Sequence, residues 1–284
     1  MSIEHLRVIA SSLPKAYDDA IKAVWYNGIS MKTQYDKEND PESKDAHVTI
    51  IVEQPLSMPR FHLNIPGGPE DLQKYTMEVI DGISDHLVDP NDPNKWKYTY
   101  HQRLFEYPSH IGEINQISTI CDQLAECPFT RRAQATTWIP GYDDGIDDPP
   151  CLQRIWCRLV PVEKSEQSYN LQMHTYWRSR DLYKAWFFNA FAMIELQKKM
   201  AEEISKLIGL TVGVGEYHDT SDSLHIYGSY FKEALPRIEK MKNYNWKTRT
   251  VGKEKTKIWK EIMQGTKFKL LMEKEKMKLE KKND

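Results

Sequence analysis

Cys151, in Asp148-Pro149-Pro150-Cys151, follows a Pro-Pro turn and enters the alternating run CLQRIWCRLV, which makes it a candidate nucleophile. The thiolate is the attacking form, so the reaction needs a cation close by. Arg178, within LQMHTYWRSRDLYKAWFFNA, is a candidate for that charge, and its guanidinium can also hold a phosphate through two parallel hydrogen bonds. Ser179 adds a hydroxyl donor. Asp181 and Asn189 supply a carboxylate and an amide, groups that read a heterocycle edge by paired hydrogen bonds. Each residue type is common; their order along the chain is informative.

The elements that must position these groups follow from periodicity. Cys151–Val160 and Asn170–Tyr176 alternate apolar and polar residues and read as two strands of one sheet, joined by the polar turn Lys164–Ser168. Asn189 opens a helix whose Leu196, Met200, Ile204 and Leu207 make a buried stripe, and Gly209 stops it. Leu210–Tyr217 is then a strand, with Gly213 and Gly215 marking a bulge or a close approach. Toward the N-terminus, residues 1–40 read as a helix over Leu13–Tyr26 and a polar loop, with a mobile excursion over Gln34–Asp45. Val48–Val52 is a buried strand, and the Pro-Gly-Gly-Pro turn leads into a helix that carries Glu70, Asp71 and Glu78 and ends at Gly82. Ile114, Ile117, Cys121 and Leu124 recur at helical spacing, which makes Cys121 a core residue and Cys127 a helix end. The loop Gly141–Asp148 lacks the spacing of a calcium-binding EF-hand and serves to deliver Cys151 to a cleft. His174 and His218 read as surface residues.

Bulk properties set the class. The chain of 284 residues is 40% hydrophobic and 28% charged, the composition of an ordinary globular protein. With no membrane-span run, no signal-peptide core and no paired cysteine motif, the expectation is a cytoplasmic protein with reduced thiols and without zinc. The net charge of −2 hides an asymmetry, because from Arg237 onward 16 Lys or Arg face 7 acids. This tail reads as a solvated helix with Ile258, Ile262, Leu270 and Leu271 docked on the body and the last dozen residues frayed; the competing reading is a nucleic-acid-binding arm. The expected domains are 1–236, catalytic, and 237–284, a Lys-rich helical extension.

Taken together, Cys151, Arg178-Ser179-Arg180-Asp181, Asn189 and His225-Ile226-Tyr227 resemble the thymidylate synthase family, which includes the pyrimidine nucleotide hydroxymethylases. Thr130-Arg131-Arg132 before Ala135-Thr136-Thr137-Trp138 is similar to the family's Arg-Arg strand, and Tyr98-Thr99-Tyr100 also fits. The resemblance spans about residues 70–235 and sits closest to the divergent archaeal and phage-like branch. It implies an α/β (α+β) single domain with a mixed or antiparallel sheet flanked by helices, and a homodimer in which Arg131 and Arg132 reach the partner's phosphate site.

The implied chemistry is folate-dependent methylation of dUMP at C5. Cys151 adds to C6, Arg178 and Ser179 bind the phosphate and Arg178 keeps the thiol's pKa low. Asn189 reads uracil O4 and N3, while His225 and Tyr227 hold the ribose. Asp181 hydrogen-bonds the pterin of 5,10-methylenetetrahydrofolate, with Ala185 at a folate-contacting position. Glu78 is the candidate proton shuttle, with Asp81 and Glu70 as rivals, and Tyr100 joins the proton-transfer network. The alternative is C5 hydroxymethylation of dUMP or dCMP by the same thiolate. A non-catalytic nucleic-acid-binding relative is the third reading. Leu152, Trp177 and Ala185 depart from the family's usual histidine, glutamine and glycine.

Overall fold

β10 (Thr211–Ile226) is the strand on which the molecule is built, lying antiparallel to β3 (Ser43–Val52) on one side and parallel to β8 (Ser168–Trp177) on the other. The sheet continues outward from β3 to β1 (His5–Ala10), and from β8 to β7 (Leu152–Pro161) and β6 (Gln134–Thr136). β2 (Ile29–Met31) pairs with β3 and the two-residue β9 (Arg180–Asp181) with β10, giving an eight-stranded mixed sheet; β4 (Tyr107–Ser109) and β5 (Gly112–Ile114) form a separate hairpin. The helices are α1 (Leu13–Asn27), α2 (Pro69–Ile80), α3 (Tyr100–Phe105), α4 (Gln116–Glu126), α5 (Trp186–Ile208), α6 (Phe231–Asn243) and α7 (Lys253–Asn283). The computed structural model describes residues 3–89, 91–163 and 168–283.

Both expected strands on either side of the 164–168 turn are present and antiparallel, while residues 164–167 of that turn lie outside the described residues. β1 corrects the reading of the first forty residues. Only Val8 and Ala10 of its HLRVIA are fully buried, a pattern too short to register until β3 pairs with it. β3 likewise begins five residues before Val48, inside the expected excursion, because Asp45 and Ser43 are buried by pairing with β10 and β2.

α5 is the central helix. It starts at Trp186 rather than Asn189, and apolar side chains cover almost all of its first turns, the pattern of a helix enclosed on every side. Leu207 is 48% exposed, because the stripe turns to solvent in the last turn before Gly209, which closes the helix at φ 68°. Buried Gln197 donates to the carbonyls of Leu171 (2.7 Å), Glu216 (3.2 Å) and Gly215 (3.3 Å), satisfying backbone at the β10 bulge between Val214 and Tyr217. A Cβ on Gly215 would meet the Leu171 oxygen at 3.0 Å, so the close approach expected there is real.

On β8, Leu171, Met173, Thr175 and Trp177 are buried, whereas Gln172, His174 and Tyr176 on the opposite face are half-buried. His174 and His218 stack on that face with centroids 4.2 Å apart, and Trp156 meets His174 edge-on. They are therefore part of a ring row rather than isolated surface residues; burial pulls His174 down to about 4.

The C-terminal segment packs closely. Arg249 forms an ion pair with fully buried Asp18 of α1, which His62 also contacts at 3.0 Å. Trp259 lies 5.2 Å from Phe61. On α7, Thr256 and Trp259 are buried and Met263, Leu270 and Met277 half-buried, whereas Ile258 and Leu271 face solvent, contrary to the sequence reading. The helix also runs on to Asn283 instead of fraying, with Lys269–Glu273 and Lys276–Glu280 pairs along its exposed side.

Candidate active site

Cys151 sits immediately ahead of β7, its carbonyl accepting from Arg178 N–H (2.9 Å) at the end of β8. The Tyr100 hydroxyl oxygen, at the start of α3, accepts from the N–H groups of Cys151 and Leu152, each at 3.2 Å. Tyr98 packs edge-on against Tyr100, and Tyr100 against Trp177. The Cys151 backbone is thus held by Tyr100, which packs against Tyr98 and Trp177, and the Arg178 side chain donates to the carbonyls of Pro150 (3.1 Å) and Pro149 (2.6 Å) just ahead of it. Burial pushes the Cys151 thiol above its ordinary value; Arg178 pulls it down, Asp148 pushes it up and Arg180 pulls it down again. The expectation that Arg178 keeps the thiol's pKa low is corrected, because desolvation outweighs its charge.

Beside Tyr100 opens a cavity of about 760 Å³, lined by Tyr75, Glu78, Trp96, Tyr98 and Asp148 among others. Glu78 lies one helical turn after Tyr75 on α2, so both reach the cavity. Burial raises the Glu78 carboxyl, with the Ser84 hydroxyl hydrogen bond (3.1 Å) and Lys74 offsetting part of it. Asp81 of the two rivals pairs with Lys199 (3.8 Å) and lines a different cavity of about 870 Å³, among α2, α5 and α7; Glu70 is exposed in the first turn of α2. Asn189, buried in the first turn of α5, donates to the Tyr75 hydroxyl, which links it to the same wall.

A second cluster adjoins the first. Asp181 pairs in β9 with His225 of β10, and its Oδ1 accepts from the N–H groups of Tyr183 and Lys184, both at 2.9 Å. Burial raises its pKa, and those N–H groups together with Tyr230 partly restore it. Its carbonyl accepts from Ala185 N–H at the N-cap of α5. The His225 and Tyr227 rings lie 4.4 Å apart, so the two side chains do share a face. Burial pulls His225 down to about 4; its Nδ1 approaches Ser223 Oγ at 3.3 Å and its Nε2 has no partner among the described residues. A neutral imidazole with an unmet nitrogen suits a hydroxyl ligand. Arg178, whose N–H holds the Cys151 carbonyl, stands just ahead of Asp181 at β9, which sets the clusters side by side.

Residues 53–276 match the family model described as thymidylate synthase. The chain belongs to the thymidylate synthase family. It is 29% identical over 244 residues to a Methanocaldococcus jannaschii protein named "Putative thymidylate synthase", covering 83% of this chain and 97% of that one. A Methanothermobacter thermautotrophicus protein of the same name is 33% identical over 178 residues, 61% of this chain and 68% of the relative. The solved thermostable thymidylate synthase A from Bacillus subtilis superposes with a TM-score of 0.59 at 18% identity, covering 80% of this chain and 84% of that one, and so shares the fold.

In this thymidylate synthase-type enzyme Tyr100 and Glu78 line the aromatic cavity; Cys151 is tied to it through Tyr100, Arg178 through its N–H on the Cys151 carbonyl and Asn189 through Tyr75, while Asp181, Ala185, His225 and Tyr227 form the second cluster. Ser179 is half-buried between β8 and β9. Arg131 and Arg132 are exposed and stand apart; they precede β6 in an irregular segment rather than lying on a strand. The sequence reading missed Tyr75, Asp148 and Arg180 as site residues. Tyr75 could have been found from its i, i+3 relation to Glu78, and Arg180 from its place inside the Arg178–Asp181 motif. No helix among the described residues is long and apolar enough to cross a membrane.

Proposed function

We propose that the enzyme methylates dUMP at C5 to give dTMP, working as a cytoplasmic homodimer with residues 1–236 as its catalytic body and 237–284 as a helical extension. The reading is carried by one observation: a nucleophilic cysteine whose backbone is held by Tyr100 at the edge of an aromatic cavity that also contains a carboxyl with a raised pKa. The cavity volume suits a ligand with flat rings, and the half-buried Asp181 carboxylate and unpartnered His225 Nε2 suit a pterin edge and a ribose hydroxyl. When bound, 5,10-methylenetetrahydrofolate supplies the one-carbon unit and then a hydride, ending as dihydrofolate.

This chain's residues do the rest. Cys151 Sγ forms a bond to C6, and the C5–C6 π electrons move toward O4, making C5 nucleophilic. Asn189 donates to the O4 oxygen that gains charge and accepts from N3–H, and Tyr75 fixes the amide's orientation. Once C5 carries the one-carbon unit, Glu78 takes the C5 proton, and the sulfur leaves C6 with its bonding electrons as hydride reaches that carbon; burial raises the Glu78 carboxyl, which makes it a better proton acceptor. Arg178 and Ser179 hold the phosphate. His225 cannot serve as a charged acid near neutral pH and positions the ribose with Tyr227. The half-buried ring row on the open sheet face supports a second copy seated there, with exposed Arg131 and Arg132 free to cross to its phosphate site.

The test is mass spectrometry of the nucleotide after incubation with dUMP and methylenetetrahydrofolate. A methyl gain with dihydrofolate absorbance supports the proposal. A hydroxymethyl gain with unoxidised tetrahydrofolate replaces it with the hydroxymethylase reading, and turnover of dCMP but not dUMP refutes the role given to Asn189.

A further inference from the structure

Arg180 is an arginine in the middle of the site motif that the chemistry above does not use. Its side chain is 1% exposed, and its partner Asp219 is completely buried. Such a charge is costly to bury, and the surroundings hold it very firmly. Asp219 accepts from Tyr217 (2.8 Å), Trp186 (3.2 Å) and Thr175 (3.3 Å) as well as from Arg180. The guanidinium carbon lies 3.8 Å from the Trp177 ring centroid, and Trp177 pairs in register with Leu152, the residue after the nucleophile. Trp177 in turn packs against Tyr100, which binds the Cys151 N–H. Arg180 Nε and Nη1 have no hydrogen-bond partner among the described residues, so part of its donor set is unmet although the side chain is buried.

We infer that Arg180 is a positioning residue for the nucleophile: a fixed second cation, clamped by Asp219 and Trp177, that favours the thiolate of Cys151. Arg178 spends donors on Pro149 and Pro150 and is the candidate for phosphate, so its charge is shared with the substrate. Arg180 is permanently in place and is spent on no ligand. Its charge opposes the burial and the Asp148 charge that raise the Cys151 thiol. The inference deepens the proposed function, yet it concerns the free thiol and can be tested without substrate.

The experiment is the pH dependence of iodoacetamide alkylation at Cys151, followed by peptide mass spectrometry so that Cys127 and the two buried cysteines are separated. In Arg180→Met/Asp219→Asn, which leaves no buried charge unpaired, the midpoint is expected to rise by about one pH unit. Arg180→Lys keeps the charge and is expected to stay near the parent. An unchanged midpoint in the double variant overturns the inference. Should circular dichroism show that the double variant does not fold, Arg180→Gln/Asp219→Asn, which keeps polar groups at both positions and removes both charges, decides: its midpoint is expected to rise, and no change or a fall refutes the assignment. A shifted midpoint in a protein that turns over neither dUMP nor dCMP leaves Arg180 as assigned and removes the proposed function. An unchanged midpoint with normal dUMP turnover does the reverse.

Discussion

Asp143→Ala should damage the site from a distance. Asp143 is completely buried and Arg103 is 4% exposed. They form a two-pronged ion pair at 2.6 and 3.2 Å, Arg103 also donates to the Thr137 carbonyl at 3.0 Å, and Asp143 accepts from the Ile139 N–H at 2.6 Å. The guanidinium carbon lies 5.5 Å from the ring centroids of both Tyr98 and Tyr142. Removing the carboxylate strands a desolvated cation and an N–H group, for which the expected loss is about 3–5 kcal/mol. That is a large share of a typical stability of about 5–15 kcal/mol. It corresponds to a melting temperature lower by roughly 6–20 °C. The pair joins α3, which carries Tyr100, to the loop that delivers Cys151, so kcat/KM for dUMP should fall together with stability. Urea unfolding and steady-state kinetics on the same preparation read both effects. A loss below about 1 kcal/mol, the worth of an exposed pair, would refute the reasoning. Removing both charges, as in Arg103→Leu/Asp143→Ala, should cost less than removing the carboxylate alone.

Three further outcomes are expected. Glu78→Gln should lower kcat by about 10²–10⁴-fold while leaving the dUMP KM nearly unchanged; a variant with near-parental kcat would shift the proton-transfer role elsewhere. For Asp18, burial works against ionisation, but the hydrogen bonds and charges of His62 and Arg249 hold the carboxyl below its ordinary range. Its contribution is therefore present above the unfolded value of about 3.9 and is lost as pH falls through the lower folded value. Asp18→Asn should accordingly be less stable than the parent at pH 7, with the gap closing in acid; urea unfolding that shows a constant gap down to about pH 2 would contradict this. Asn189→Asp should move the ratio of kcat/KM values from dUMP toward dCMP, since a carboxyl group can pair with the cytosine edge; a preserved ratio would mean that Asn189 does not read the base.

Much of the catalytic order was legible because it is written locally. Cys151 after a Pro-Pro turn, Arg178 to Asp181 just past a strand end and His225-x-Tyr227 at the end of β10 are short-range patterns, and periodicity placed them beside the right kinds of element. Leu207 and Ile258 had the right spacing for burial but the wrong environment, since spacing defines a helix face and only packing decides which part of that face is covered. β1 was illegible because a strand with two buried residues owes its existence to its partner.

The amino-acid sequence by itself determined the family and the alternation of strands and helices and offered Cys151 as the candidate nucleophile, because each depends on residue type and near-neighbour spacing. Tertiary structure alone decided the electrostatics. Whether Cys151 lies above or below its ordinary pKa, whether Glu78 is raised and whether Arg180 has an anion beneath it depend on burial and on charges brought from distant segments. Asp219 is 39 residues from Arg180 and Arg249 is 231 from Asp18, and at such separations spacing carries no information about contact.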